Sequence, residues 1–254
     1  MANKINLEKS SGLRIFYENG RLHFNKSILH KPPAFRTLKA ARTFLKNKKS
    51  SFSRPNLYLM YRGVAIKEDA RIFKKYRLRY DITVIYCGFL DNEFNRTIGH
   101  RHRGPYPEIY EVLSGKGLFL LQKTKGTVAN KTYLVKISRG DKIVVPPNFG
   151  HVTINISNEP LIIANIFSNF AKSDYSLYKK MHGPGYYVLN SGIVKNSNFK
   201  KVAPLKLTKP KNNLFLGTAS NKSLYKTFIE NPEKFVWLNN PNKFKKQLSE
   251  KNNL

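Results

Sequence analysis

From Tyr80 to Phe167 the chain repeats short β-rich runs, YDITVIYC, TIGHRH, EIYEVL, GLFLLQ, TYLVKI, DKIVV, HVTINI and PLIIANIF, separated by breaks that carry Gly, Pro, Asn or Asp. This spacing predicts an antiparallel sandwich or barrel, because the strands of an α/β fold would alternate with long helical periods. Upstream, IFYENGRLHF predicts a hairpin turning at Asn19-Gly20, PAFRTLKAARTFLKN a helix, LYLMYRGV a strand, and KEDARIFKKYRLRY a helix or charged connector into the barrel. Downstream, YYVLNSGIVKN predicts a further hairpin, and Leu224, Phe228, Phe235 and Trp237 supply enough apolar surface to dock one helix on the barrel. The last dozen residues are expected to fray. The expected organisation is an N-terminal extension over residues 1–65, a barrel over 66–195 and a Lys/Asn-rich extension over 196–254.

With 254 residues and 41% hydrophobic content, the chain can bury a substantial core. No apolar run approaches the roughly 18 residues of a membrane span, and MANKINLEKS lacks the apolar stretch of a secretory signal. The single cysteine, Cys87, excludes an intramolecular disulfide, so a cytoplasmic location is expected, with Cys87 in the core. The net charge of +31 raises nucleic-acid binding as a candidate, but it comes mostly from dispersed lysine. No zinc finger, aromatic RNA-binding motif or dense Arg cluster accompanies it, so no specific nucleic-acid site is expected. The charge is suited to drawing in an acidic substrate.

The chemistry concentrates in TIGHRHRGPYPEIYEVLSGKG, from Thr97 to Gly117, and in PPNFGHVTIN, from Pro146 to Asn155. His100 and His102 are two apart, so on a strand they leave the backbone on one face, with Arg101 pointing away. Glu108 follows a Gly/Pro loop that can return the chain antiparallel and bring its carboxylate opposite the two imidazoles. His151 follows a Pro-Pro-Asn-Phe-Gly turn. Three imidazoles and a carboxylate suit Fe(II), Mn, Ni, Co or Zn and suit Ca or Mg poorly. Tyr110, two residues beyond Glu108, shares its face of the strand.

The order of these residues resembles the two cupin motifs, the second here reading GDKIVVPPNFGHVTIN from Gly140. The stretch TVIYCGFLDNEFNRTIGHRH resembles, more narrowly, the cupin-type glucose-6-phosphate isomerases. It does so through Thr83, Glu93, Thr97, Gly99, His100 and His102, continued by Glu108, Tyr110, Leu113, Gly115 and Gly117. LYLMYRGV, RLRYDITVI and MHGPGYYVL look like further segments of that family, so the resemblance covers most of residues 57 to 195. It implies an all-β cupin, a double-stranded β-helix or jelly-roll barrel, with flanking helical and extended segments. It also implies interconversion of glucose 6-phosphate and fructose 6-phosphate, in glycolysis and gluconeogenesis, by a homodimer that needs no membrane. One divalent transition metal per subunit, Fe(II) foremost, would lie on His100, His102, Glu108 and His151. Glu108 and Tyr110 would be catalytic, by an enediol route or beside a hydride shift. Thr83, Thr97, Gly99 and Tyr175 would hold the phosphorylated hexose.

Taken singly, Thr83 and Thr97 are ordinary strand residues, and Gly115 and Gly117 read as turn residues. Two positions depart from the family: Phe167 stands where better-known relatives have Tyr, and Ser173 where they have His. Competing functions are a cupin Fe(II) dioxygenase, whose ligand set is similar, and a non-catalytic cupin that binds metal and sugar phosphate. The Thr83 to Gly99 segment argues against the dioxygenase.

Overall fold

In the computed structural model, which describes residues 4–213, 215–219 and 221–253, two antiparallel layers form the centre of the molecule. One is a six-stranded sheet in the order Lys142–Val145, Glu108–Ser114, Leu161–Ser168, Leu78–Ile85, Asn56–Tyr61 and Ala34–Thr37. The other sets Phe149–Asn155, Lys116–Lys125 and Val128–Ser138 side by side, with Lys201–Val202 and Leu205–Thr208 joining Val128–Ser138 in parallel. Several connections cross between the layers. Glu108–Ser114 lies in the first and Lys116–Lys125 in the second, and Lys142–Val145 and Phe149–Asn155 divide in the same way. This is the cupin jelly roll, built as two facing sheets rather than one hydrogen-bonded cylinder.

Alternation along the six-stranded sheet sorts its residues between two cores. Tyr58, Ile85, Tyr110, Val112, Ile143 and Ile163 point inward and join Phe119 and Val152 of the opposite layer in one cluster. Leu59, Ile82, Val84, Ile109, Val144, Ile162 and Ile166 point outward into another. Both ends of the chain cover that outer face: Leu7, Leu13 and Ile15 from the N-terminal side, Leu224, Phe228, Phe235 and Trp237 from the C-terminal side. Those seven side chains are no more than 2% exposed. At about 25 cal/mol per Å² of apolar surface removed from water, each buried Leu or Phe contributes roughly 1.5–3 kcal/mol.

The hairpin Ile15–Glu18 with Arg21–Phe24 turns at Asn19-Gly20, both at positive φ. Tyr186–Leu189 with Gly192–Lys195 forms the second expected hairpin. The helix expected from Pro33 divides instead. Ala34–Thr37 pairs with Asn56–Tyr61, and helix is confined to Leu38–Ala41, followed by the 3-10 turn Arg42–Phe44. Thr37 makes the boundary, its backbone extended and its hydroxyl accepting from Ala40 N at 3.1 Å as an N-cap. Asn56–Tyr61 pairs with Leu78–Ile85 on one side, and filling its other edge outweighs the helical pattern upstream of that cap. The C-terminal region is also more ordered than expected. Glu250–Asn253 is helical, Glu250 pairs with Lys131, and Leu248 is buried. Cys87 is half-buried and lies outside both apolar clusters. Among the described residues no helix is long and apolar enough to cross a membrane.

Candidate metal centre

The interior between the layers becomes polar where Phe149–Asn155 meets the segment before Arg101. His100 and His151 exchange two backbone hydrogen bonds, His151 N to His100 O at 2.9 Å and the reverse at 3.3 Å. Residues paired in this way project to the same side, and the two rings stand 4.4 Å apart. Each histidine follows a glycine. A Cβ on Gly99 would come within 2.5 Å of Tyr178 Cε1, and one on Gly150 within 2.5 Å of the Tyr178 hydroxyl. The Tyr178 ring therefore lies directly on the backbone behind both histidines. Gly99 also sits at φ +81°, where other residues are strained.

Beyond His100 the chain does not form the hairpin expected from the Gly/Pro loop. Arg101–Arg103 pairs with Lys172–Asp174, whereas Glu108–Ser114 lies between Lys142–Val145 and Leu161–Ser168. Glu108 reaches the histidines across the interior, from the opposite sheet. The short pairing available on the Lys172–Asp174 side, completed by an Arg101–Asp174 ion pair at 3.0 Å, captures the His102 strand.

The result groups His100, Glu108 and His151, with His102 outside that cluster but adjacent to Glu108. His100, Glu108 and His151 each place a donor atom within 4.8 Å of the others. His102 Nε2 lies 3.5 Å and His151 Nε2 3.4 Å from Glu108 Oε2. His102 is oriented by its other nitrogen, Nδ1, 2.9 Å from the Tyr106 carbonyl, which leaves Nε2 for the interior. Tyr110 Oη is 2.9 Å from His151 Nε2.

These contacts are not ion pairs, because burial keeps every partner near neutrality. It lowers all three imidazoles, His100 to about 3 with help from the neighbouring His102 and Arg62, and His151 well below its ordinary value. It lifts Glu108 to about 8, against the lowering effect of the nearby Tyr110 hydroxyl and of the Asn165 hydrogen bond. Neutral imidazoles present the lone pairs that a metal needs. Glu108 Oε2 and His151 Nδ1 are buried without a hydrogen-bond partner. Four other buried side-chain atoms among the described residues also lack a partner, but these two lie on residues that bring donor atoms within 4.8 Å of one another, the arrangement a cation can complete. The residues fit a transition metal.

The expected phosphate residues are more dispersed. Thr83 pairs with Ile163 and Met60, which puts it on the same sheet face as Asn165 and Tyr110. Thr97 lies on the other layer, where its hydroxyl accepts from Thr153 N at 3.0 Å. The half-buried Tyr175 places its ring 5.4 Å from that of His100. Phe167 stacks on His102 with rings 6.0 Å apart, and Ser173 pairs with His102. Asn165, which sequence reasoning passed over, donates to Glu108 Oε1 at 2.6 Å. A lone amide in the apolar run PLIIANIF was the available signal.

The sequence model of the glucose-6-phosphate isomerase (GPI) family matches residues 29–204. A glucose-6-phosphate isomerase of Thermococcus kodakarensis is 32% identical over 140 residues, spanning 51% of this chain and 72% of its own. That of Pyrococcus furiosus is 31% identical over 148 residues, spanning 53% and 76%. Among solved structures, an oxalate decarboxylase formate complex from Lactobacillus farciminis aligns with a TM-score of 0.38 at 22% identity, covering 52% of this chain and 33% of that one.

Proposed function

The chain belongs to the glucose-6-phosphate isomerase family, and we propose that it interconverts glucose 6-phosphate and fructose 6-phosphate at the centre formed by His100, His102, Glu108 and His151. The observation that supports this best is the situation of Glu108, buried, with one oxygen held by Asn165 and the other unpaired beside two imidazoles. One divalent transition metal on these four residues, Fe(II) foremost, would polarise the sugar's O1 and O2.

The chain's own part is the handling of protons. In the enediol route Glu108 takes the proton from C2 and returns it to C1, while the hydroxyl proton passes from O2 to O1 and the carbonyl moves from C1 to C2. The carboxyl ends as it began. A buried carboxyl beside the open face of the site is placed to accept and return that proton. Tyr110, held protonated by burial and by the adjacent Glu108, keeps a hydroxyl at the same place to bond a sugar oxygen or orient the carboxylate. The competing route, direct hydride transfer from C2 to C1, differs in retaining a C2 deuterium through turnover in ordinary water.

The test is conversion of glucose 6-phosphate by metal-stripped protein reloaded separately with Fe(II), Mn, Ni or Zn, beside Glu108→Ala and His151→Ala. Metal-dependent formation of fructose 6-phosphate that both variants abolish is the expected result. Tight metal binding without turnover of glucose or mannose 6-phosphate would instead leave a sugar-phosphate-binding role. We place the reaction in cytoplasmic glycolysis and gluconeogenesis. We also infer a homodimer, for which the exposed Ile193 and Val194 on the edge strand Gly192–Lys195 offer a pairing surface.

A further inference from the structure

Three arginines share the sheet face of Glu108, Tyr110 and Asn165. Arg79 pairs with Phe167 and Asp81 with Asn165, which puts Arg79 and Asp81 on that face. In the neighbouring strand Tyr58, Met60 and then Arg62 point the same way, Met60 lying opposite Thr83. Arg36 lies opposite Tyr58 in the edge strand and gives its Nε–H to the Tyr58 hydroxyl at 3.2 Å. Thr83 therefore sits between them. Arg62 is its diagonal neighbour, at roughly 7–8 Å between backbones, and Arg36 approaches from the other side, beyond Tyr58.

The charges on this face do not balance. Arg79 is fully engaged, its guanidinium gripping both oxygens of Asp81 at 2.9 Å and lying 4.6 Å over the Phe167 ring. Arg62 reaches the same carboxylate only at 3.9 Å, with its side chain 37% exposed. Arg36 has no carboxylate within ion-pair distance among the described residues; its other neighbour is the Tyr175 ring, 6.0 Å away. Asp81 thus serves two guanidinium groups, Arg79 closely and Arg62 loosely, and Arg36 carries a charge with no carboxylate partner among the described residues. Tyr175 in turn lies against His100, so the surplus charge borders the metal centre.

We propose that Arg62 and Arg36 are the two arms of a clamp for the substrate's phosphoryl group, which rests over Thr83. Asp81 and Arg79 act beneath it as positioning residues that keep Arg62 extended along the sheet. The inference rests on the sugar-phosphate reading of the site and names the residues that confer it. A phosphate dianion needs paired cationic donors in a forked geometry, and guanidinium groups provide that where a threonine hydroxyl supplies a single donor. The clamp binds the non-reacting end of the sugar, so it acts on affinity and leaves the proton transfer to Glu108.

The test uses the metal-loaded protein and its Arg36→Met, Arg62→Met and double variants at constant ionic strength, so that the diffuse net charge of +31 cancels. The probe is inorganic phosphate, measured by direct binding and by competition with substrate. Each single variant should weaken phosphate about tenfold, as for loss of one charge-assisted hydrogen bond, and raise KM to match, with kcat nearly unchanged. The double variant should lose about a hundredfold if the arms are independent. Arg36→Lys and Arg62→Lys, which keep the charge without the fork, should fall between, and exposed Arg139→Met should match the parent. Unchanged phosphate affinity and KM in a double variant of normal metal content and melting temperature would overturn the clamp, as would a parent that binds no phosphate. A parent that binds phosphate through these arginines yet shows no isomerase activity would leave the clamp standing and remove the isomerase reading.

Discussion

Glu108 and Glu111 stand three residues apart on one strand, both buried, and the strand's alternation sends them to opposite faces. On the inner face Glu108 has one oxygen fixed by Asn165 and the other unpaired. On the outer face both oxygens of Glu111 are used: Oε1 lies 3.3 Å from Lys142 Nζ, and Oε2 accepts from the backbone N–H of Leu224 at 2.7 Å. Burial raises both carboxyls, Glu108 to about 8 and Glu111 to about 7. The elevated pKa does not distinguish them. What distinguishes them is unfilled hydrogen bonding: one oxygen of Glu108 has no partner, whereas both oxygens of Glu111 are engaged.

That contrast breaks most sharply if Glu108→Gln keeps activity. The expected loss in kcat is about 10²–10⁴-fold, the usual contribution of a positioned general base, with the melting temperature near that of the parent and reduced metal content by elemental analysis. Glu111→Ala should show the opposite profile. Removing one partner of a buried pair costs about 3–5 kcal/mol, read by urea unfolding, while the folded protein retains its kcat.

The pH dependence of stability sharpens the structural half. The folded pKa of Glu111, about 7, lies above its ordinary 4.5. Its contribution is therefore complete below pH 4.5 and is lost as pH rises through 7. Relative to Glu111→Gln, the parent should lose on the order of 3 kcal/mol across that interval, and a flat difference would remove the assignment. Asn165→Ala should lower kcat about 10–100-fold, as expected when a hydrogen bond to a charged group is lost, with little change in KM. The smallest effect belongs to Ser223, whose hydroxyl accepts from Lys226 N at the start of helix Leu224–Glu230. Ser223→Ala should cost about 1 kcal/mol in the same unfolding measurement and leave the reaction untouched.

The inner face was far more legible in the sequence than the outer one. His100 with His102, and Glu108 with Tyr110, were singled out by their spacing of two along an extended chain and His151 by the second cupin motif, and His100, Glu108 and His151 do lie together. Their route to one another was not legible. The sequence suggested a local hairpin, whereas Glu108 and the histidines meet across two sheets, a matter of strand pairing that no short segment encodes. Asn165 and the set of Arg36, Arg62, Arg79 and Asp81 were hidden for the same reason, since their proximity depends on register between strands distant in sequence. Glu111 read as one more polar residue in EIYEVL, and its partner in the backbone of Leu224 lies 113 residues away. The helix expected around Pro33 failed through competition, the sheet edge claiming residues whose local preference was helical.

The cover formed by both chain ends also bears on the order of events during synthesis. A ribosome releases the N-terminal segments and all six strands of the larger sheet long before Leu224, Phe228, Phe235 and Trp237 emerge. For that interval the nascent sheet holds an uncovered apolar surface and a glutamate still lacking its backbone partner, the kind of species that aggregates or engages chaperones. Chains halted before Leu224 should therefore be the sticky ones, because Leu224, Phe228, Phe235 and Trp237 close that surface as a lid closes a box.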